Sequence, residues 1–527
     1  MGMYRSSLQP YQPEGLFNIL TKTAKKMPNK VAIVDIDRSY TYSEFENHVN
    51  QLANTLLKMG VTKGDRVGIL SPNCAEFEIS FFGIIKSGAT VTTINSGYRE
   101  LEIAHQLNNA EARIVIVHEE LTELLESARS EIPSIKTIIP ITKNRTVENS
   151  FWDLISKNSS EPPNISIDPY NDLAALPYSS GTTGLTKGVM LTHANLHSNV
   201  RQLIERPNEG SAVDDKDVVL VHLPLFHIYG MNVLMSGTIA VGGTQVLMGR
   251  FDMDLFLEII EKHKVTFLYT VPPIAVALSQ YPSVKNFNIS SLRAGFIGAA
   301  PLSGELQSRL SELLQFPIAQ GYGLTESSPI TNVDFIESDL IRPGSIGPAV
   351  SDTEEKVVDV DDESIEMPSG EVGELLIRGP QIMQGYYNNP TASAETITSD
   401  GWLKTGDIVK MDKDGYVWIL DRKKELIKYK GFQVPPAELE GILLEHDAVS
   451  DVAVIGKLDI EAGEIPKAFV VTKQGHEVSE DVLMEFVAQK VATFKRIREI
   501  EFIDAIPKNP SGKLLRRVLK DQERSNS

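Results

Sequence analysis

Cysteine is almost missing from this chain: Cys74 is the only one in 527 residues, so neither an intrachain disulfide nor a cysteine metal cluster can form. It reads as a small buried hydrophobe rather than a reactive thiol. Positive charge is also short. With 51 basic against 70 acidic side chains the formal net charge is −19, which argues against a nucleic-acid partner, since such proteins carry a basic excess. Long apolar runs are lacking too. The longest, Val233 to Met248, is interrupted by Ser236, Gly237, Thr238, Gly242, Gly243 and Thr244, short of the roughly 20 apolar residues of a spanning helix. It reads as an interior helix or strand. Met1 to Pro13 holds no apolar signal core, and Arg524-Ser525-Asn526-Ser527 is neither an anchor nor a peroxisomal address. These absences point to a cytoplasmic protein with no membrane span.

What remains is ordinary globular composition, 42% apolar and 23% charged, in a chain too long for one core. Residues 1–170 alternate helix and strand. Ser43 and Glu46 fit a capping box, and Phe45, Val49, Leu52 and Leu56 then recur at helical spacing until Gly60. Val67 to Leu70, Ala89 to Thr93 and Ile114 to Val117 read as strands, with a helix from Cys74 to Lys86. The alternation resumes over 171–340, with strands at Val265 to Tyr269 and Ala294 to Ile297 and helices at Met253 to Lys262 and Ser303 to Leu314. Such alternation favours parallel sheets covered by helices. From 341 to 420 short strands (Val357 to Val360, Gly373 to Arg378, Val417 to Leu420) separated by turns suggest a small β-barrel. Residues 352–366 hold eight carboxylates and one lysine, read as a solvated hairpin edge, not a metal site. After a hinge at 421–424, residues 425–527 form a compact α+β unit, with helices at Pro436 to Leu444 and Glu480 to Thr493 and strands near Val452 to Ile455 and Ala468 to Val471. The predicted class is α/β: a large N-terminal domain (1–420) of two parallel-rich α/β subdomains plus a small β-barrel, then a small mobile α+β C-terminal domain.

The strongest local signal is Tyr178-Ser179-Ser180-Gly181-Thr182-Thr183-Gly184-Leu185-Thr186-Lys187-Gly188-Val189. Its three glycines let a ligand approach the backbone, its five serine and threonine hydroxyls add donors, and Lys187 brings a mobile charge suited to phosphate. A plain Gly/Ser linker is disfavoured, because the loop is short and lies between apolar strands at Leu173 to Leu176 and Val189 to Leu191. It is not a Walker A loop, since Lys187 precedes Gly188 instead of a Ser or Thr.

Further motifs follow in order: Gln320-Gly321-Tyr322-Gly323-Leu324-Thr325-Glu326-Ser327, Gly401-Trp402-Leu403-Lys404-Thr405-Gly406-Asp407, Asp421-Arg422-Lys423-Lys424-Glu425-Leu426-Ile427-Lys428 and Pro507-Lys508-Asn509-Pro510-Ser511-Gly512-Lys513. With these five motifs the chain resembles the adenylate-forming superfamily over nearly its whole length. The similarity is greatest to its acyl-CoA synthetase branch, 4-coumarate–CoA ligases and medium- to long-chain fatty acid ligases. Thr186 is the one visible departure, standing where those ligases usually have proline.

The resemblance implies an AMP-forming acid–CoA ligase that uses ATP, Mg2+ and coenzyme A on a small-molecule carboxylic acid, fatty or aryl. It assigns ATP to Ser179, Ser180, Gly181, Thr182, Thr183, Gly184, Lys187 and the segment Gln320, Gly321, Tyr322, Gly323, Thr325. Tyr322 stacks on adenine, Thr325 touches phosphate, and Glu326 holds the metal. Asp407 and Arg422 take the ribose. Lys513 bridges acid and α-phosphate, offsetting a like-charge repulsion of about 4 kcal/mol at about 4 Å and an effective dielectric near 20. In isolation Glu326, Asp407 and Lys513 would each read as surface residues.

Leu223 to Gly230 resembles the segment lining the acyl pocket, and His227, otherwise a core histidine, is then a gate towards the thiol channel. Tyr229, Gly230, Val233, Gly298, Ala299, Ala300, Gly321 and Ile330 are the expected pocket wall, with no basic group for a second carboxylate. Lys428, Lys430, Gly431 and Gln433 face the site during thioester formation, the small domain pivoting near Lys424. Lys495, Arg496 and Arg498 are candidates for CoA phosphates. Two alternatives share every ATP motif, an enzyme loading a carrier protein and a luciferase-like oxygenase. A homodimer is left open.

Overall fold

The computed structural model describes residues 5–179, 186–205, 213–300, 302–337, 339–430, 432–459, 461–508 and 514–526. Helix Tyr42–Lys58 shows how local chemistry sets the first layer. The Thr41 hydroxyl accepts the Glu44 N–H at 3.2 Å, and the Glu44 carboxylate accepts the Thr41 N–H at 2.8 Å. The capping box is therefore Thr41/Glu44, two residues before the expected Ser43/Glu46, because the chain is extended at Thr41 (ψ 161°) and helical from Tyr42. The apolar stripe is unaffected: Phe45, Val49, Leu52 and Leu56 are buried, and Gly60 at φ 80° ends the helix. The next helix, Ala75–Lys86, is apolar almost all round and is buried on every side. Cys74 precedes it and is buried, with burial pushing its thiol pKa up, the opposite of a reactive cysteine.

Two parallel-rich sheets make the body. The larger runs Ile330–Val333, Ile318–Gly323, Ala294–Ile297, Phe267–Thr270, Val218–Val221, Thr244–Leu247, Val31–Asp35, Arg38–Thr41. Its edge strands are antiparallel and every inner pairing is parallel. The smaller runs Leu191–Thr192, Leu173–Ala175, Thr90–Ile94, Arg66–Leu70, Ile114–His118, Thr137–Ile141, with the first strand antiparallel. The sheets do not divide at residue 170. Val31–Asp35 finds its parallel partner in Thr244–Leu247, and Leu173–Ala175 completes the smaller sheet beside Thr90–Ile94. One apolar core consequently runs through both layers. The long apolar stretch near Val233 becomes a π-helical segment, Tyr229–Gly237, a short helix Thr238–Val241 and strand Thr244–Leu247.

The turn-rich region is a four-stranded antiparallel sheet, Glu354–Val358, Val372–Arg378, Leu403–Met411, Val417–Arg422. Its acidic edge is mostly exposed, except that burial pushes the Glu355 carboxyl up to about 8. Beyond it, five strands and helices Pro436–Leu444 and Glu480–Ala488 enclose a separate core of Val434, Leu439, Val452, Leu483 and Val487. The second helix stops at Ala488, short of the expected Thr493. Ala492 is extended (ψ 151°), and Phe494 stacks on Phe432 with ring centroids 4.7 Å apart. Among the described residues no helix is long and apolar enough to cross a membrane.

Glu78 makes the core sensitive to pH. Burial pushes its carboxyl up to about 8, against a hydrogen bond from Gln245 Nε2 at 3.0 Å that favours the charged form. The folded chain thus holds a proton that the unfolded chain releases near 4.5, so this group makes stability fall as pH rises from about 4.5 to about 8. Thermal melting followed from about pH 5 to about pH 8 is expected to fall less steeply in Glu78→Gln than in the unaltered protein. Equal slopes would show that Glu78 ionises without cost.

Candidate active site

Strands of both sheets end at one cavity of about 1050 Å3. Thr93, Tyr269, Phe296 and Gly321 line it at or near the carboxyl ends of their strands, where open α/β sheets take ligands. Close backbone approach explains two of the glycines. A Cβ at Gly323 would sit 2.1 Å from the Pro329 carbonyl oxygen, and one at Gly230 would sit 2.2 Å from that of Pro224. Ala299 borders the cavity in a left-handed conformation, φ 72°, that costs a side-chain-bearing residue energy.

Three distant segments meet at Glu326. Its Oε1 accepts the Ser179 hydroxyl at 2.8 Å and the Tyr386 hydroxyl at 2.8 Å. Ser179 pairs with Lys187 across a two-stranded ladder, and Lys187 Nζ lies 5.0 Å from the Tyr386 ring centroid. Thr325 lines the cavity beside Glu326. Burial, then the Glu326 charge, holds the Tyr386 hydroxyl far above its ordinary pKa, so it acts as a donor. Tyr386 went unforeseen in the sequence, where the Tyr386-Tyr387 doublet carries no motif signal of its own.

A second cluster joins Tyr322, Asp407 and Arg422. The Tyr322 hydroxyl donates to Asp407 Oδ2, and Arg422 Nε lies 2.6 Å from Asp407 Oδ1. Burial, reinforced by Asp407, pushes the Tyr322 pKa up; burial is the largest single influence on Arg422 and opposes its charge, but Asp407, Tyr322, Glu326 and Glu425 together outweigh it and the guanidinium is raised. Tyr322 and Arg422 line the cavity, whereas Asp407 is 2% exposed and does not. Gln320 has a different place. Its amide donates to the Leu302 carbonyl and to Gln307 Oε1 in the interior, and it does not line the cavity.

At the apolar end His227, Tyr229, Val233, Gly298, Ala299, Gly321 and Ile330 all line the cavity. Gly230 and Ala300 do not; Gly230 packs against Pro224. The Tyr229 N–H donates to His227 Nδ1 at 3.2 Å, orienting the imidazole. Tyr269, Phe296 and Val333 complete this wall and were missed, since apolar strand ends look like core in a sequence.

Lys424 borders the cavity, and so do Lys508 and Leu515 from the C-terminal unit, on either side of 509–513. Lys428 and Lys430 do not: they sit on hairpin Ile427–Tyr429/Phe432–Val434, with Lys430 at φ 48°. Lys495 is paired with Glu438 at 2.6 Å, and Arg498 donates to the Thr493 carbonyl. Ser180, Gly181, Thr182, Thr183, Gly184, Gly431 and Lys513 lie outside the described residues, as does the Gln433 side chain.

Comparison with known proteins fits this arrangement. Residues 20–387 match the model for AMP-binding enzymes, and 438–513 match that for the AMP-binding enzyme C-terminal domain. The chain belongs to this family of AMP-binding enzymes. Among its relatives, 4-coumarate–CoA ligase 3 of Arabidopsis thaliana is 41% identical over 92% of this chain and 86% of its own length. The 4-coumarate–CoA ligase of Pinus taeda is 42% identical over 92% and 90%. The solved structure of the anthranilate CoA ligase AuaEII with anthranoyl-AMP superimposes with a TM-score of 0.90 at 30% identity, covering 97% of this chain and 98% of that one. ATP-bound MatB from Rhodopseudomonas palustris gives 0.90 at 27% identity, covering 98% and 100%. This chain is an AMP-forming acid–CoA ligase, with ATP, CoA and a small-molecule acid as its substrates.

Asp407→Asn removes the charge that holds Arg422 and Tyr322 together. The ATP KM is expected to rise about ten- to a hundredfold, as for loss of a charge-assisted hydrogen bond, with a smaller change in the acid KM. Initial-rate kinetics with each substrate varied in turn checks this; an unchanged ATP KM would detach the trio from the nucleotide.

Proposed function

We propose that the acid is a planar aryl acid of the 4-coumarate type. The observation that carries this reading is the aromatic wall at the apolar end of the cavity. Tyr229 and Tyr269 meet edge to face at 6.4 Å between centroids, and Tyr269 and Phe296 lie nearly parallel at 6.1 Å. Such walls suit a flat ring. The names of the 4-coumarate–CoA ligases and of the anthranilate CoA ligase support it too. A fatty acid is the second reading, favoured by Val233, Ile330 and Val333 on the same surface.

In the first half-reaction a carboxylate oxygen of the acid attacks the α-phosphorus of ATP, and the bond to pyrophosphate breaks. Lys187 and the 179–184 loop hold the phosphates, Thr325 assists, and Tyr322, Gly321, Gly323, Asp407 and Arg422 hold adenosine. Lys513 bridges the two anions as they meet, stabilising charge in the transition state. Lys508 and Leu515, lining the cavity on either side of 509–513, support this role. Glu326 would hold Mg2+. Among the described residues no group of three or more His, Cys, Asp or Glu could hold a metal, so one carboxylate and phosphate oxygens must suffice, which suits this cation. When bound it would neutralise charge on the polyphosphate.

In the second half-reaction the CoA sulfur, losing its proton, attacks the adenylate carbonyl, and AMP leaves. For this step the chain divides at 421–424, and residues 425–527 turn about Lys424 to bring Lys428, Lys430, Gly431 and Gln433 to the site, with His227 gating the thiol path.

Lys513→Ala is expected to lower acid-dependent pyrophosphate exchange by two or more orders of magnitude, on the scale of losing one transition-state contact. Thioester formation from supplied acyl-AMP should persist, and equal loss of both half-reactions would refute this role. CoA-dependent AMP release, measured over cinnamate-type acids and fatty acids of graded length, is expected to be fastest with aryl acids. A fatty acid with the highest kcat/KM would overturn the aryl reading.

A further inference from the structure

Helix Glu100–Ala110 carries no recognised motif, yet it grips both strands of the ladder that presents Lys187. That ladder pairs Tyr178 with Gly188 and Ser179 with Lys187. On one strand the Tyr178 hydroxyl donates to Asn109 Oδ1 at 2.6 Å. On the other, His105 Nε2 lies 2.9 Å from the carbonyl oxygen of Thr186. A carbonyl only accepts, so Nε2 carries the hydrogen, in the neutral ring or the imidazolium alike. Tyr98 lies two residues before the helix. Tyr98, His105 and Thr186 all line the cavity.

Thr186 is also the one position where the phosphate loop departs from the ligases it resembles. A proline ring fixes its own φ and restricts the residue before it; a threonine does neither. We propose that His105 is a positioning residue that holds Thr186, and through it Lys187, supplying by a hydrogen bond the backbone restraint a proline would supply covalently. It does not touch the reacting atoms. This inference rests on the reading of Lys187 as a phosphate ligand.

Pyrophosphate exchange by the full-length enzyme, with ATP and acid varied separately, tests both layers. Lys187→Ala comes first: a raised ATP KM upholds the phosphate reading, and an unchanged one removes it and the clamp with it. With that reading upheld, His105→Ala is expected to raise the ATP KM roughly tenfold, as for one or two lost hydrogen bonds, while leaving the acid KM and melting temperature unchanged. His105→Gln, whose amide can still donate, should recover most of the loss. Thr186→Pro placed in the His105→Ala background should lower the ATP KM again. An unchanged ATP KM in His105→Ala, a parallel change of both KM values with the melting temperature, or no recovery from either second substitution would overturn the clamp.

Discussion

Two anions, a carboxylate and a polyphosphate, must come within bonding distance inside a protein whose own net charge is −19. Charge on this scale is felt only within a Debye length of about 8–10 Å, so the outcome depends on local groups. The cavity meets the constraint with cations set individually against carboxylates. Arg422 is held by Asp407, Lys423 by Glu374 at 2.7 Å, and Lys508 by Asp451 at 2.6 Å. Each pair keeps a basic group in place in an acidic protein. Glu326 follows the same logic with opposite sign, its oxygen engaged by two hydroxyls.

That arrangement depends on segments far apart in the chain. Glu326 is joined to Ser179, 147 residues away in the sequence, and to Tyr386, 60 residues away. The seam to the C-terminal unit is polar as well. Burial pushes the Asp421 carboxyl up to about 6, although Arg516 and the N–H groups of Ala437 and Arg422 favour its charge. Ala437 lies in the first turn of helix Pro436–Leu444, and Arg516 is tied to Glu440 of that helix at 2.6 Å. A polar, hydrogen-bonded seam is easier to part and re-form than a fused apolar core, which suits the turn proposed for this unit.

The elements most legible in the sequence were those whose period and punctuation agree, such as helix Tyr42–Lys58 with Gly60 behind it. Its start was displaced because Thr41 and Ser43 are equally good caps by composition, and only backbone geometry chooses between them. Strand exchange across residue 170 was illegible for a different reason: alternation records which elements exist but not which edge each strand will find. In the site, residues inside glycine-rich motifs could be named, whereas Tyr386 and His105 could not. Tyr386 reaches another segment's carboxylate and His105 another segment's backbone, and local sequence holds no trace of that. Gln320 shows the converse, a motif residue whose side chain serves the interior.

In the reaction proposed above the acid itself attacks the α-phosphorus in this cavity. The most direct test of that step is a single-turnover reaction with acid labelled with oxygen-18 in its carboxylate, followed by mass spectrometry of the AMP. Attack by the carboxylate predicts that one labelled oxygen appears in each AMP formed with CoA present. AMP without the label, or label recovered in pyrophosphate, would contradict the account.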